Sequence, residues 1–238
     1  MSAQTVDVAY REDVVLDLRE AAAPTVVRTL GLDIELPAPG PYLRFVKPAV
    51  DRLVAATLLL FLVPLLLGLM LIVRLRLGPG VLFRQERIGL GGEPFTVYKL
   101  RTMLPDRRRA PASFAGDDRR RTHKAPDDPR HTPLGRFLRR WSLDELPQLV
   151  NVLRGEMSLV GPRPELPGIV ARYEPWQHAR HAVRPGLTGP WQISARSMGP
   201  MHSFTELDVD YAQRVSPLVD LGILARTLPA LLGSQRGS

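Results

Sequence analysis

The strongest pattern in the chain is an apolar run near its start. Leu53 to Val73, LVAATLLLFLVPLLLGLMLIV, is 21 residues without a charge. As a straight helix it is about 30 Å long, the thickness of a bilayer's hydrocarbon core. Fifteen of its residues are Leu, Ile, Val or Phe. At about −0.3 to −0.6 kcal/mol each near the bilayer centre, they favour insertion strongly. A buried core helix is the alternative, but core helices rarely run so long without a polar face. Pro64 sits at the middle, where it removes a backbone hydrogen bond and clashes with the preceding turn. Basic residues flank both ends, Arg44, Lys47 and Arg52 before and Arg74 and Arg76 after. A simple spanning helix usually biases its positive charge to one side. The pattern therefore favours a re-entrant helix that enters the membrane, bends at Pro64 and returns to the same face.

After this run the pattern changes. Val81–Ile88 and Pro94–Met103 have strand character and are joined by Gly89-Leu90-Gly91-Gly92, which predicts a β-hairpin. Gln85 and Arg87 share one face of the first strand; Phe95, Val97, Lys99 and Arg101 share one face of the second. The glycines lack the G-x-x-x-x-G-K-[ST] pattern and read as a turn. Thr132-Pro133 opens a short helix with Leu134, Phe137, Leu138 and Trp141 on one face and Arg136, Arg139 and Arg140 around the rest. Such a basic amphipathic helix suits the membrane interface, and core packing with a wet Arg face fits almost as well. The acidic pair Asp144-Glu145 follows at a helix start, ahead of a predicted buried stripe of Leu146, Leu149, Val150 and Leu153. Two readings stay open for the pair. Ser142 to Glu145 fits a capping box, and carboxylates at a helix N-terminus also suit phosphate chemistry. Val215 to Leu232 reads as an apolar C-terminal helix packing on the body.

Residues 1–43 carry several prolines and no apolar run of signal-peptide type, so they are expected to be a poorly ordered extension. Residues 44–76 form the membrane-embedded helix and 77–238 a catalytic domain. The expected class is α+β, mostly helical, with a small β-hairpin or sheet, a Pro-bent membrane helix and interfacial amphipathic helices.

Charge sharpens this division. Residues 1–73 hold 6 basic and 8 acidic residues, whereas 74–238 hold 26 and 16. Arg outnumbers Lys in the basic part, which suits bidentate phosphate contacts. The Arg triplets 107–109 and 119–121 suit anionic lipid headgroups. A basic protein binding nucleic acid or lipid without catalysis is the rival reading, but aromatics are not interleaved with the basic runs and no nucleic-acid motif accompanies them. The absence of cysteine excludes thiolate catalysis and Cys-based metal sites. His178 and His181, with Glu174 nearby, match no catalytic metal spacing.

One set of motifs, in one order, resembles the bacterial sugar transferases, the monotopic phosphoglycosyl transferases. It comprises the apolar run with central Pro, Gln85-x-Arg87-x-Gly89, Tyr98-Lys99-Leu100-Arg101-Thr102-Met103 and Ser142-Leu143-Asp144-Glu145-Leu146-Pro147-Gln148. Asn151-Val152-Leu153-x-Gly155, Met157-Ser158-Leu159-Val160-Gly161-Pro162-Arg163-Pro164 and Arg184-Pro185-Gly186-Leu187-Thr188-Gly189 complete it. The resemblance spans about Phe45 to Leu232. One departure is Val63 before the bending Pro64, where the family often has Ser; the break then lacks a hydroxyl for the freed backbone groups. The several-helix membrane bundle of larger members is also missing from this sequence.

The resemblance implies a transferase of the EC 2.7.8 type. A nucleoside diphosphate sugar, expected to be a UDP-sugar, would give sugar-1-phosphate to a polyprenol phosphate, expected to be undecaprenyl phosphate, in the first membrane step of exopolysaccharide or capsule assembly. By the same resemblance Asp144 is the nucleophile and a Mg²⁺ ligand, and Glu145 assists. Gln85, Arg87, Lys99, Arg101, Arg163 and Arg184 would serve the phosphates. Membrane lipid is an expected partner, nucleic acid is not, and a homo-oligomer is left open. The expected place is the bacterial inner membrane, with the catalytic domain on the cytoplasmic face.

Overall fold

A computed structural model describes residues 4–7, 25–29, 32–36, 40–104, 130–194, 199 and 201–232. The Arg triplets 107–109 and 119–121 lie outside the described residues. The architecture is mostly helical, with small sheets and one long apolar helix.

Three short strands come first: β1 (Gln4–Asp7), β2 (Thr25–Thr29) and β3 (Leu32–Leu36). β2 pairs parallel with β1 and antiparallel with β3. Ile34 and Leu36 of β3 are buried in a cluster with Val160, Ala179, Val183, Val209 and Tyr211.

A π-helical turn, Tyr42–Val46, leads into α1 (Lys47–Leu77), 31 residues that continue as one helix through Pro64. Its middle is bare: Leu60, Phe61, Val63, Leu65 and Leu67 are exposed. Its two ends are not. At the first, Ala55 packs with Leu149, Val152 and Met157. At the second, Leu69, Val73 and Leu77 pack with Leu100 and Leu138. Polar contacts fasten the first end further. Lys47 Nζ donates to Asp220 at 2.5 Å, and Ser158 Oγ donates to Asp51 at 2.6 Å, all buried.

The predicted hairpin forms from β4 (Leu82–Ile88) and β5 (Pro94–Leu100), with Gln85 opposite Val97 and Arg87 opposite Phe95. The connection needs glycine at Gly91 and Gly92, which hold φ of 65° and 82°. α2 (Pro133–Arg140) starts as the sequence indicates, with the Thr132 hydroxyl accepting from the Gly135 N–H at 2.9 Å. Leu138 is buried, while Phe137 and Trp141 face outward.

A 3-10 segment, Leu143–Gln148, runs into α3 (Leu149–Arg154). This corrects the predicted stripe. Leu149 and Val152 are buried and Leu153 is 42% exposed. A 3-10 turn has 3.0 residues against 3.6 in an α-helix. Each residue therefore rotates the face by about 20° more, and six residues move the inward side from Leu153 to Val152. Asn151, fully buried, ties α3 to β5: its amide donates to Thr96 O at 2.7 Å and its carbonyl oxygen accepts from the Tyr98 N–H at 3.3 Å.

β6 (Ser158–Val160) is followed by α4 (Pro167–Val170) and a 3-10 segment, Pro175–Ala182. β7 (Gly186–Thr188) then pairs parallel with β6. The chains meet so closely that a Cβ on Gly161 would overlap the Arg184 carbonyl. α5 (Pro190–Ser194), α6 (Thr205–Arg214) and α7 (Pro217–Leu232) complete the body. α7 is only partly a packing helix. Asp220 and Ile223 are buried, while Leu218, Leu221 and Leu228 are exposed.

Asn151→Ala removes the amide that joins α3 to β5 and leaves buried backbone groups unpaired. The expected loss is about 2–4 kcal/mol, read as a melting temperature several degrees lower in detergent. An unchanged melting curve would place the α3–β5 tie elsewhere.

Candidate active site

Four side chains from three parts of the chain meet beside the 3-10 segment. Ser142 enters it with φ 54°, the one positive φ of a non-glycine residue among those described. That conformation costs an L-residue on the order of 1 kcal/mol. It turns the chain so that Asp144 is buried and Glu145 points at β5. Lys99 of β5 donates to Glu145 Oε1 at 2.8 Å. Arg163, between two prolines after β6, grips both Glu145 oxygens, at 2.5 and 3.2 Å. The capping box is not formed: no side chain caps the segment, because Glu145 is committed to these two cations.

The two carboxylates are driven apart electrostatically. Burial opposes charge on Glu145, but Arg163 and Lys99 outweigh it and hold its carboxyl well below the usual carboxylate range. Asp144 is pushed up by burial and then by the neighbouring Glu145 charge, with Lys99 and Arg163 pulling partly back. Lys99 is itself pushed down by burial, against the pull of Glu145. Among the described residues no cation is hydrogen-bonded to Asp144. The site thus holds one committed carboxylate and one buried carboxylate in a cationic field.

The other predicted residues take different places. Arg87 is hydrogen-bonded to Gln85 at 2.7 and 3.2 Å and donates to Pro164 O at 3.0 Å, so this pair borders the site through the Pro-Arg-Pro turn. Arg101 points away and donates to the carbonyls of Leu77, Gly78 and Pro79, closing the C-terminal end of α1. Arg184 donates to Gly155 O at 2.9 Å, beyond α3. Pro64 is in the exposed middle of α1.

Sequence reasoning missed four participants. Arg139 is half-buried and donates to Thr102 Oγ1 at 2.9 Å; burial lowers its pKa, and the Asp144 charge acts to raise it. Glu165 is fully buried, 3.7 Å from Arg87. Arg180 and Asp208 form a buried ion pair behind the Pro-Arg-Pro turn. The run of three arginines around Arg139 was a visible signal; Arg180 and Asp208, in unremarked polar stretches, gave none. The buried His181 sets its Nδ1 3.2 Å from Gly89 O. Burial, then Arg180 and His178, push its pKa down to about 3, so it stays neutral near pH 7.

For a cation the donor set is sparse. Among the described residues no group of three or more His, Asp or Glu side chains gathers as a metal site. At this site, among the described residues, Asp144 offers the carboxylate that stands outside the ion pairs. That fits Mg²⁺, which binds through one or two carboxylates and fills its shell with water and substrate phosphate.

The family described as bacterial sugar transferase matches residues 42–234. The chain is 41% identical over 198 residues to the exopolysaccharide production protein ExoY of Sinorhizobium fredii, covering 81% of this chain and 87% of that protein. It is 42% identical over 194 residues to a UDP-glucose:undecaprenyl-phosphate glucose-1-phosphate transferase of Caulobacter vibrioides, covering 78% and 69%. It is 34% identical over 200 residues to a UDP-N-acetylgalactosamine-undecaprenyl-phosphate N-acetylgalactosaminephosphotransferase of Aeromonas hydrophila, covering 82% and 45%.

Because the folded pKa of Glu145 lies below its unfolded value of about 4.3, its contribution to stability is complete above that value. It is lost as pH falls through the folded pKa. Glu145→Gln should therefore lower the melting temperature by a few degrees at pH 7, equivalent to about 1–3 kcal/mol, and the gap should close as pH falls below about 4. A gap that is independent of pH would contradict the assignment.

Proposed function

The chain belongs to the bacterial sugar transferase family, and from that premise we propose that it transfers sugar-1-phosphate from a UDP-sugar to undecaprenyl phosphate, for exopolysaccharide synthesis. The observation that carries this reading is the buried Asp144 beside a Glu145 already neutralised by Lys99 and Arg163.

The chemistry follows from that division of roles. Phosphoryl transfer depends on positioning and charge neutralisation more than on acid–base steps. An Asp144 oxygen attacks the sugar-bearing phosphorus. The bond to the bridging oxygen breaks, and UMP leaves with the electron pair. An oxygen of undecaprenyl phosphate then attacks the same phosphorus, and the bond to Asp144 breaks, restoring the carboxylate. Splitting the displacement in two is the gain of covalent catalysis. Glu145 keeps Lys99 and Arg163 in place, and both cations face the charge that develops on the diphosphate. Mg²⁺ would be held by Asp144 and, when bound, would neutralise phosphate oxygens as a Lewis acid.

The packing of α1 supports a re-entrant arrangement, with Pro64 in its exposed middle. Both ends bury one side on the same body, and the apolar middle from Leu60 to Leu67 is largely exposed. A helix crossing the bilayer would carry its ends to opposite faces, and one body cannot meet both. The acceptor's phosphate stays at the lipid–water interface, so an active site fastened beside the ends of α1 lies at the level of its substrate. We place the protein in the bacterial inner membrane with its catalytic body on the cytoplasmic side, where UDP-sugars are made. The exposed Phe137 and Trp141 of α2 suit that interface.

Incubation with a UDP-sugar and no acceptor should leave a phosphosugar on Asp144, detected by mass spectrometry. Asp144→Asn should abolish both this adduct and UMP release. An active Asp144→Asn variant would end the mechanism. A panel of UDP-sugars, scored by UMP release, identifies the donor.

The chain lacks cysteine, so single Arg44→Cys and Arg76→Cys variants report topology directly. With an impermeant thiol reagent on intact cells, neither is expected to react, and both should react in inverted vesicles. Labelling of one variant from outside would show a helix that spans.

A further inference from the structure

The segment Pro162-Arg163-Pro164-Glu165 has little means of holding its own shape. Two of its four residues lack an N–H, and carbonyls shielded from water need donors from elsewhere. Each of the four carbonyls has one. The Gly186 N–H donates to Pro162 O at 2.9 Å, and the Ile88 N–H donates to Glu165 O at 2.9 Å. Arg180 Nη2 donates to Arg163 O at 2.7 Å. Arg87 Nη1 donates to Pro164 O at 3.0 Å. Two donors are therefore backbone groups of β7 and β4, and two are guanidinium groups.

Arg180 acts on the carbonyl of Arg163 itself. It is 2% exposed, and each of its three nitrogens donates a hydrogen bond. Nε and Nη2 donate to Asp208 Oδ2 at 3.1 and 2.5 Å, and Nη1 donates to the Tyr173 hydroxyl at 2.9 Å. Asp208, on α6, is fully buried. A buried ion pair is costly to desolvate, and apolar side chains of similar volume often replace one with no loss of stability. Stability is therefore a weak account of the pair. What an apolar replacement does not supply is a rigid donor at the Arg163 carbonyl.

We propose that Arg180, fixed by Asp208, is a positioning residue for catalysis. It sets the backbone of Arg163 so that the Arg163 guanidinium meets Glu145 and the diphosphate together. The chain of contact runs Asp208, Arg180, Arg163, Glu145, and it links α6 to the acidic pair; Arg180 and Asp208 themselves act without touching substrate. The proposal rests on the transferase reading above, because it assigns Arg163 to the transferring phosphate.

The test uses the full-length protein in detergent or lipid. Arg180→Met/Asp208→Leu removes the donor with little change in volume, and Arg180→Lys keeps the charge but not the planar fork, as a second variant should the first not fold. The expected result is a kcat/KM for UMP release lower on the order of 10²-fold, with a melting temperature within a few degrees of wild type. In an Arg163→Ala background the same substitutions should cost less than about threefold more, because the two residues act through one group. Hydrogen exchange across 159–166 should also be faster in the variants. Wild-type rates, an equal loss with and without Arg163, or unchanged exchange would each overturn the proposal. Absence of UMP release from the wild-type protein with every UDP-sugar would sink the transferase reading instead, and the exchange measurement would still decide the role of Arg180.

Discussion

The carboxylate of Glu145 is the point on which this structure converges. It receives Lys99 from β5 and Arg163 from the turn after β6, while standing itself in the 3-10 segment before α3. Each of these elements brings a charge that is unfavourable alone in a poorly hydrated place. Together they offset one another and leave a net positive charge beside Asp144, and the geometry of each depends on the other two. Asp144 inherits its environment from this arrangement. It is left buried and outside the ion pairs, next to cations that are oriented but not bonded to it. A nucleophile that must meet a diphosphate needs that combination of nearby positive charge and an uncommitted oxygen.

Much of this was legible in the sequence, for reasons that can be named. A 21-residue run without charge has few alternatives to a membrane helix. Strand alternation around a glycine turn gave the hairpin, and Thr132-Pro133 gave the start of α2 because both residues act locally. The adjacent acids were visible too, but their role was ambiguous, since a capping box and a catalytic pair use the same letters. Distant partners removed the capping reading: Lys99 and Arg163, 46 and 18 residues from Glu145, hold the carboxylate that a cap would use. The buried stripe after the pair was misjudged because a 3-10 segment rotates the helix face. That departure comes from Ser142 and Pro147, whose combined effect periodicity does not register.

The arginines show the limit most clearly. The sequence presents many, and the resemblance makes Arg87, Arg101, Arg163 and Arg184 phosphate ligands alike. In the fold Arg101 closes the end of α1, Arg184 holds the turn after α3, Arg87 and Arg180 carry the Pro-Arg-Pro turn, and Arg163 faces the acids. A proline-flanked turn has carbonyls without local donors, and a planar fork of N–H groups suits that need as well as it suits phosphate. The partner each guanidinium meets, a carbonyl or a carboxylate, separates the two uses, and that partner is set by the whole fold.

The fastening of α1 also has a consequence for how the protein is made. Lys47 and Asp220, joined at the base of the helix, are 173 residues apart in sequence. At about 5–20 residues per second a ribosome needs about 10–35 s to bridge that interval. For most of it the apolar segment is already made, while Asp220 does not yet exist and Leu100, Leu138 and Leu149, which seat the two ends, appear only part-way through. Lipid, or whatever delivers the chain to it, must shelter the segment first, and the enzyme closes around its own anchor only when synthesis is nearly complete.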